Sequence, residues 1–164
     1  MIANDDVVKV LNRLVVTSKD GEYGFNACAR QTRSPHLRTL FLRRAHDCYL
    51  AAAELKMHVA LLGGKPKTRS SIQGGLHRCW VWLRGSLLGY SEQSVLDECD
   101  RGERAALLRY RAALRATLPV AERLVVEYQF RGVLRNQDEI RALHLSKLRA
   151  PLRAPLSSLR EPAV

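Results

Sequence analysis

The chain lacks the cysteine spacing of a zinc module: Cys28, Cys48, Cys79 and Cys99 are widely spread, with no C-x-x-C pair. A reduced, cytoplasmic setting fits that usage. Glycine and proline are sparse, at 10 and 6 of 164 residues, and cluster between periodic stretches, which favours helices throughout. No apolar run approaches the roughly 20 residues that cross a bilayer. The opening Met-Ile-Ala-Asn-Asp-Asp has no basic-then-apolar leader pattern. Catalytic signatures are missing as well. Ser, His and Asp occur without a nucleophile elbow, and Gly63-Gly64-Lys65-Pro66 lacks the full Walker spacing. His46 and His77 read as surface or packing histidines, so no enzyme class follows.

What is present is apolar periodicity. Apolar residues make up 46% of the chain, enough for one domain with a real core. Helix one is expected from Asn4 or Asp5 to about Arg30, with Val7, Leu11, Leu14, Val15, Ser18, Glu22, Phe25 and Ala29 on one stripe. Gly21 and Gly24 weaken it unless they let a neighbouring helix come close. Ser34-Pro35 reads as an N-cap and first helical residue of helix two, which continues to Leu62 and stops at Gly63-Gly64. Its stripe is Phe41, Ala45, Cys48, Ala52, Leu55, Val59 and Leu62. A second stripe, Leu50, Ala53, Met57 and Leu61, implies that another helix or a second subunit covers its back.

Residues 65–71 form a polar linker, and residues 72–88 read as a shorter helix carrying Trp80 and Trp82 as packing anchors. Ser91 or Ser94 caps helix three, whose face carries Val95, Cys99, Gly102, Glu103, Ala106, Tyr110 and Ala113. Pro119 opens helix four, with Glu122, Val126, Phe130, Val133, Gln137, Ile140 and His144 on its best stripe. The domain reading is therefore a bundle over residues 1–147 and a basic, proline-bearing tail over 148–164.

Glu22 and Glu103 stand on apolar stripes of different helices. A carboxylate facing a core is costly unless paired, hydrogen-bonded or metal-bound. Two hairpins joined by a long crossover give the ferritin-like topology. Counting turns in that topology places Glu22, Cys48, Glu103 and Gln137 in one polar layer near mid-core. Gln137 and Arg44 are the expected partners of the carboxylates.

Several segments together carry a resemblance: Asp20-Gly21-Glu22-Tyr23-Gly24-Phe25, Ala53-Glu54-Leu55 with Leu62-Gly63-Gly64-Lys65-Pro66, Leu76-His77-Arg78-Cys79-Trp80, and Glu98-Cys99-Asp100-Arg101-Gly102-Glu103. The chain resembles, over roughly residues 5–147, the bacterial ferritin-like four-helix-bundle proteins of unknown function of the DUF2383 type. The resemblance implies an all-α, ferritin-like four-helix bundle with an additional helix in the crossover between helices two and three. It implies no activity. Members often carry arginine where Cys48 stands and histidine where Gln137 stands, so this chain departs from the pattern at the layer itself.

Three functional readings follow. The first is a non-catalytic bundle with a structural polar layer and a protein-interaction or stress-related role, such as a homodimer through helix two and the crossover helix. The second is iron or manganese at a degenerate carboxylate site with Glu22 and Glu103 as candidate ligands. Neither Glu-x-x-His of a ferritin-like two-metal site is present, because His58 stands fourth after Glu54 and the pair leans toward the second face of helix two. The third is non-specific nucleic-acid binding through the net charge of +11. Its arginines, among them Arg30, Arg33, Arg38, Arg101 and Arg115, are spread over the helices with no organising motif.

Overall fold

In the computed structural model, the acidic start at Asp5 and Asp6 leads into α1 (Asn4–Gln31), and Arg30 closes it, both suited to the helix dipole. The structure describes residues 4–71 and 92–149. Ser34 then accepts the Leu37 N–H and Pro35 takes the first position of α2 (Pro35–Leu61). The helix ends in a paired closure: Gly63 N–H reaches Ala60 O and Gly64 N–H reaches Val59 O. Gly63 adopts φ +77°, the left-handed conformation that such a closure requires and that glycine takes without strain. α3 (Glu92–Arg115) and α4 (Val120–Arg149) form the second hairpin. Arg123 folds back to cap the end of α3, donating to Leu114 O and Ala116 O. Among the described residues there are four helices and no strand.

Side-chain pairs fix the directions. Ser18 meets Tyr110 and Asp20 meets Arg109, so α1 and α3 run antiparallel. His58 meets Glu122 and Arg44 meets Glu139, so α2 and α4 do the same. α2 therefore ends at one end of the fold, while α3 begins at the other. After the α2 closure, residues 65–71 turn back along α1. Asn12 donates to Lys65 O and accepts from Lys67 N–H, and Asp20 accepts from the Ser71 N–H and hydroxyl. The helix expected over residues 72–88, with Trp80, Trp82, Cys79 and His77, and the cap at Ser91, lie outside the described residues. So does the tail from residue 150, α4 itself reaching Arg149.

The apolar core is split into two clusters. One gathers Val7, Leu11, Leu14 and Val15 of α1 with Leu55, Val59, Tyr110, Ala113, Leu118 and Val126. The other gathers Phe25, Cys28 and Ala29 with Leu37, Leu40, Phe41, Ala45, Val95, Leu96, Cys99 and Ile140. Phe25 and Phe41 stack within it at 6.3 Å. Each fully buried Leu or Phe contributes roughly 1.5–3 kcal/mol, so the clusters hold the helices from both ends. Between them lies a polar middle.

The crossover helix, one expected cover for the second stripe of α2, lies outside the described residues. Leu50, Met57 and Leu61 are all more than half exposed among the described residues. Residues 65–71 leave α2 along α1.

Candidate functional site

The middle layer is built from residues of all four helices. Tyr110 of α3 donates to Gln129 Oε1 of α4 at 2.9 Å and shares a 3.2 Å hydrogen bond with Ser18 of α1. Gln129 passes the chain to α2, its Nε2 donating to Glu54 Oε2 at 2.7 Å and to Ala51 O at 3.3 Å. One continuous chain of hydrogen bonds thus crosses the fold. Burial pushes the Tyr110 phenol upward, against the favourable bond from Ser18, so it stays a neutral donor.

Beside this chain sits Glu103, buried on α3. Burial pushes its carboxyl up to about 7, opposed by the charge of Arg44 and by a hydrogen bond with Asn136. Arg44 is also held by Glu139 and, at 3.6 Å, by Asp47. Cys48 lies at the same level on α2, its thiol pushed up to about 12, first by burial and then by the negative charge of Glu103. Asp47 and Glu22 add to that effect. A Cβ added at Gly21 would stand 2.8 Å from Cys48 Sγ, so α1 and α2 approach here as closely as glycine permits. Among the described residues, Gly24 has no such neighbour.

The sequence-derived residues are therefore distributed as follows. Glu103 and Cys48 lie near enough for the carboxylate to disfavour the thiolate, and Glu22 lies half-buried at the edge of their level. Gln137 is buried on α4, but the amide that reaches Glu103 is Asn136. Gln129 is the other polar side chain of α4 in the layer. Both stand in a heptad run, Glu122, Val126, Gln129, Val133, Asn136 and Ile140, whose polar members hide it from an apolar count. Glu54 and His58 also differ from expectation. They face α4, meeting Gln129 and Glu122, instead of the outer face of α2. The 3.6-residue turn makes i and i+4 share a face, and that face is the one α4 covers.

Among the described residues, no three His, Cys, Asp or Glu side chains converge to hold a metal ion. Among the described residues, the groups acting on Glu103 are Arg44, Asn136 and Asp100, with no imidazole, and this set does not fit a carboxylate-bridged metal pair.

A cavity of about 280 Å³ opens between α1 and α3 above the layer. Its walls are Gly24, Phe25, Gly102 and Ala106, and its floor is Ser18, Glu103, Tyr110 and Asn136. Cys28, Cys48 and Cys99 all line it, and all three are free thiols. At its rim, Asp20 ties Ser71 and pairs with Arg109 at 3.5 Å.

A four-helix fold with a polar layer across it is the class of protein these residues define. The chain belongs to the DUF2383 family, a domain of unknown function, whose model matches residues 6–116. That stretch takes in α1, α2 and α3 with Glu22, Cys48 and Glu103, and stops short of α4. The likeness read from the sequence extended further, to about residue 147. A comparison with curated proteins finds no match.

Proposed function

We propose that this is a ferritin-like, non-catalytic protein-interaction module that self-associates through the outer face of α2 and α4. The carrying observation is an apolar stripe shared by the two helices. Leu50, Met57 and Leu61 of α2 and Val120, Leu124 and Tyr128 of α4 are each more than half exposed. The pairings His58–Glu122 and Glu54–Gln129 set these two rows side by side, and Leu50 and Tyr128 border the same groove. The occupant argued for is a second copy of the chain, because an identical stripe related by a two-fold axis is self-complementary. The chain leaves residues 65–71 on the α1 side, held by Asp20 near Arg109, away from this stripe. A stress-related accessory role in the cytoplasm suits free thiols and a module of this kind.

Support for the ferritin-like topology is the return of residues 65–71 along α1 and the entry of α3 at the far end. The same reading takes residues 1–147 as the bundle and 148–164 as a basic tail. In it the polar layer sets register and does no chemistry: its carboxylates are answered by Arg44, Asn136 and Gln129.

Nucleic-acid binding is less favoured, because many of the arginines are engaged within the fold. Arg44 and Arg43 meet Glu139, Arg104 meets Asp100, Arg101 meets Glu98, and Arg109 meets Asp20. No helix among the described residues is long and apolar enough to cross a membrane. Light scattering on a size-exclusion column tests the proposal. A dimer is expected, converted to monomer by Met57→Glu or Tyr128→Glu. A wild-type chain that is monomeric at micromolar concentration would sink it.

A further inference from the structure

We propose that Cys28 and Cys99 form a dithiol site for hydroperoxides, which closes to a disulfide tying α1 to α3. Both residues are buried in the same apolar cluster, and the antiparallel register fixed by Ser18 and Tyr110 sets them opposite one another on α1 and α3. Both also line the cavity between α1 and α3, a space large enough for a molecule of peroxide size. The pair therefore combines two thiols on adjacent helices with a space beside them for a small oxidant. The interaction with Cys28, and then burial, push the Cys99 thiol up, so it keeps its proton. Cys99 is therefore taken as the resolving thiol and Cys28 as the attacking one.

The chemistry balances with hydrogen peroxide as the oxidant. The Cys28 thiolate attacks one peroxide oxygen, an S–O bond forms and the O–O bond breaks. The leaving hydroxide takes up the thiol's released proton as water, and Cys28 becomes a sulfenic acid. The Cys99 sulfur then attacks the sulfenic sulfur. An S–S bond forms, the S–O bond breaks, and the departing hydroxide leaves as water with the Cys99 proton. Two thiols give up two electrons and two protons, and one peroxide becomes two waters. Exchange with a small thiol restores the dithiol. Cys48 shares the cavity wall but faces the backbone of Gly21, which makes it an internal comparison.

The test uses the full chain, reduced, desalted and exposed to hydrogen peroxide without denaturant, then alkylated and mapped by mass spectrometry. The expected product is a linked peptide joining Cys28 to Cys99 in the wild-type chain, with Cys48 still alkylatable. Cys48→Ser and Cys79→Ser chains keep the link, Cys28→Ala and Cys99→Ala lose it, and dithiothreitol reverses it. The oxidised chain also unfolds at a higher temperature, because the link closes a loop of about 70 residues. The proposal is overturned if the link forms only in urea, if Cys28 pairs elsewhere, or if both thiols stay free while Cys48 is oxidised.

Discussion

At Glu103, burial opposes ionisation while Arg44 and Asn136 favour it, and burial wins. The carboxyl titrates near 7 in the fold against an ordinary value of 4.5, so between these limits the folded chain holds a proton that the unfolded chain has released. Stability from this group is complete below about pH 4.5 and is lost as pH rises through 7, a fall of about 3 kcal/mol. Glu103→Gln is expected to raise the unfolding free energy by about 2 kcal/mol at about pH 8 and to change little at about pH 5. Urea titrations at the two pH values measure this; an equal effect at both would contradict it. The glycines of α1 give a second contrast. Gly24→Ala gains helix propensity in open space and should stabilise by about 1 kcal/mol. Gly21→Ala drives a methyl against Cys48 Sγ and should instead destabilise by about 1 kcal/mol, with Cys48→Ala restoring the loss. Thermal unfolding of the three variants is the check.

Across elements, the hydrogen-bond chain Ser18–Tyr110–Gln129–Glu54 joins four helices that the apolar clusters bring together only at their ends. Tyr110→Phe leaves the Ser18 hydroxyl and the Gln129 carbonyl oxygen buried without this partner. It should cost about 2 kcal/mol with an unchanged denaturant slope. The four described helices were legible in the sequence, because caps such as Ser34-Pro35 and closures such as Gly63-Gly64 act locally. The stripe of α1 was legible too, its apolar spacing running through Val7, Leu11, Leu14 and Val15 to Phe25 and Ala29. The layer was harder to read. An apolar count passes over Gln129 and Asn136, because a polar side chain at a core position resembles a solvent-facing one until its partners are known. Glu103 was visible since it interrupts an otherwise apolar run. Asp20 was not, because its partner Ser71 lies 51 residues away.

For the whole molecule, charge and apolar surface pull in opposite directions. Two copies at +11 each repel, so a dimer held by the stripe of α2 and α4 should tighten as salt rises from about 0.05 M to about 0.5 M. A complex with nucleic acid should loosen over the same range. Sedimentation at both salt concentrations, with and without a DNA duplex, separates the two by the sign of the change. The strap formed by residues 65–71 has a consequence for how the chain is made. Asn12 and Asp20 grip residues more than 50 positions downstream, and every one of these groups is already synthesised before α3 begins. On a ribosome, the first hairpin can therefore close and fasten its own exit segment while the second does not yet exist. Assembly becomes the addition of a second hairpin to a finished template, with the groove of α1 as the surface that waits for it.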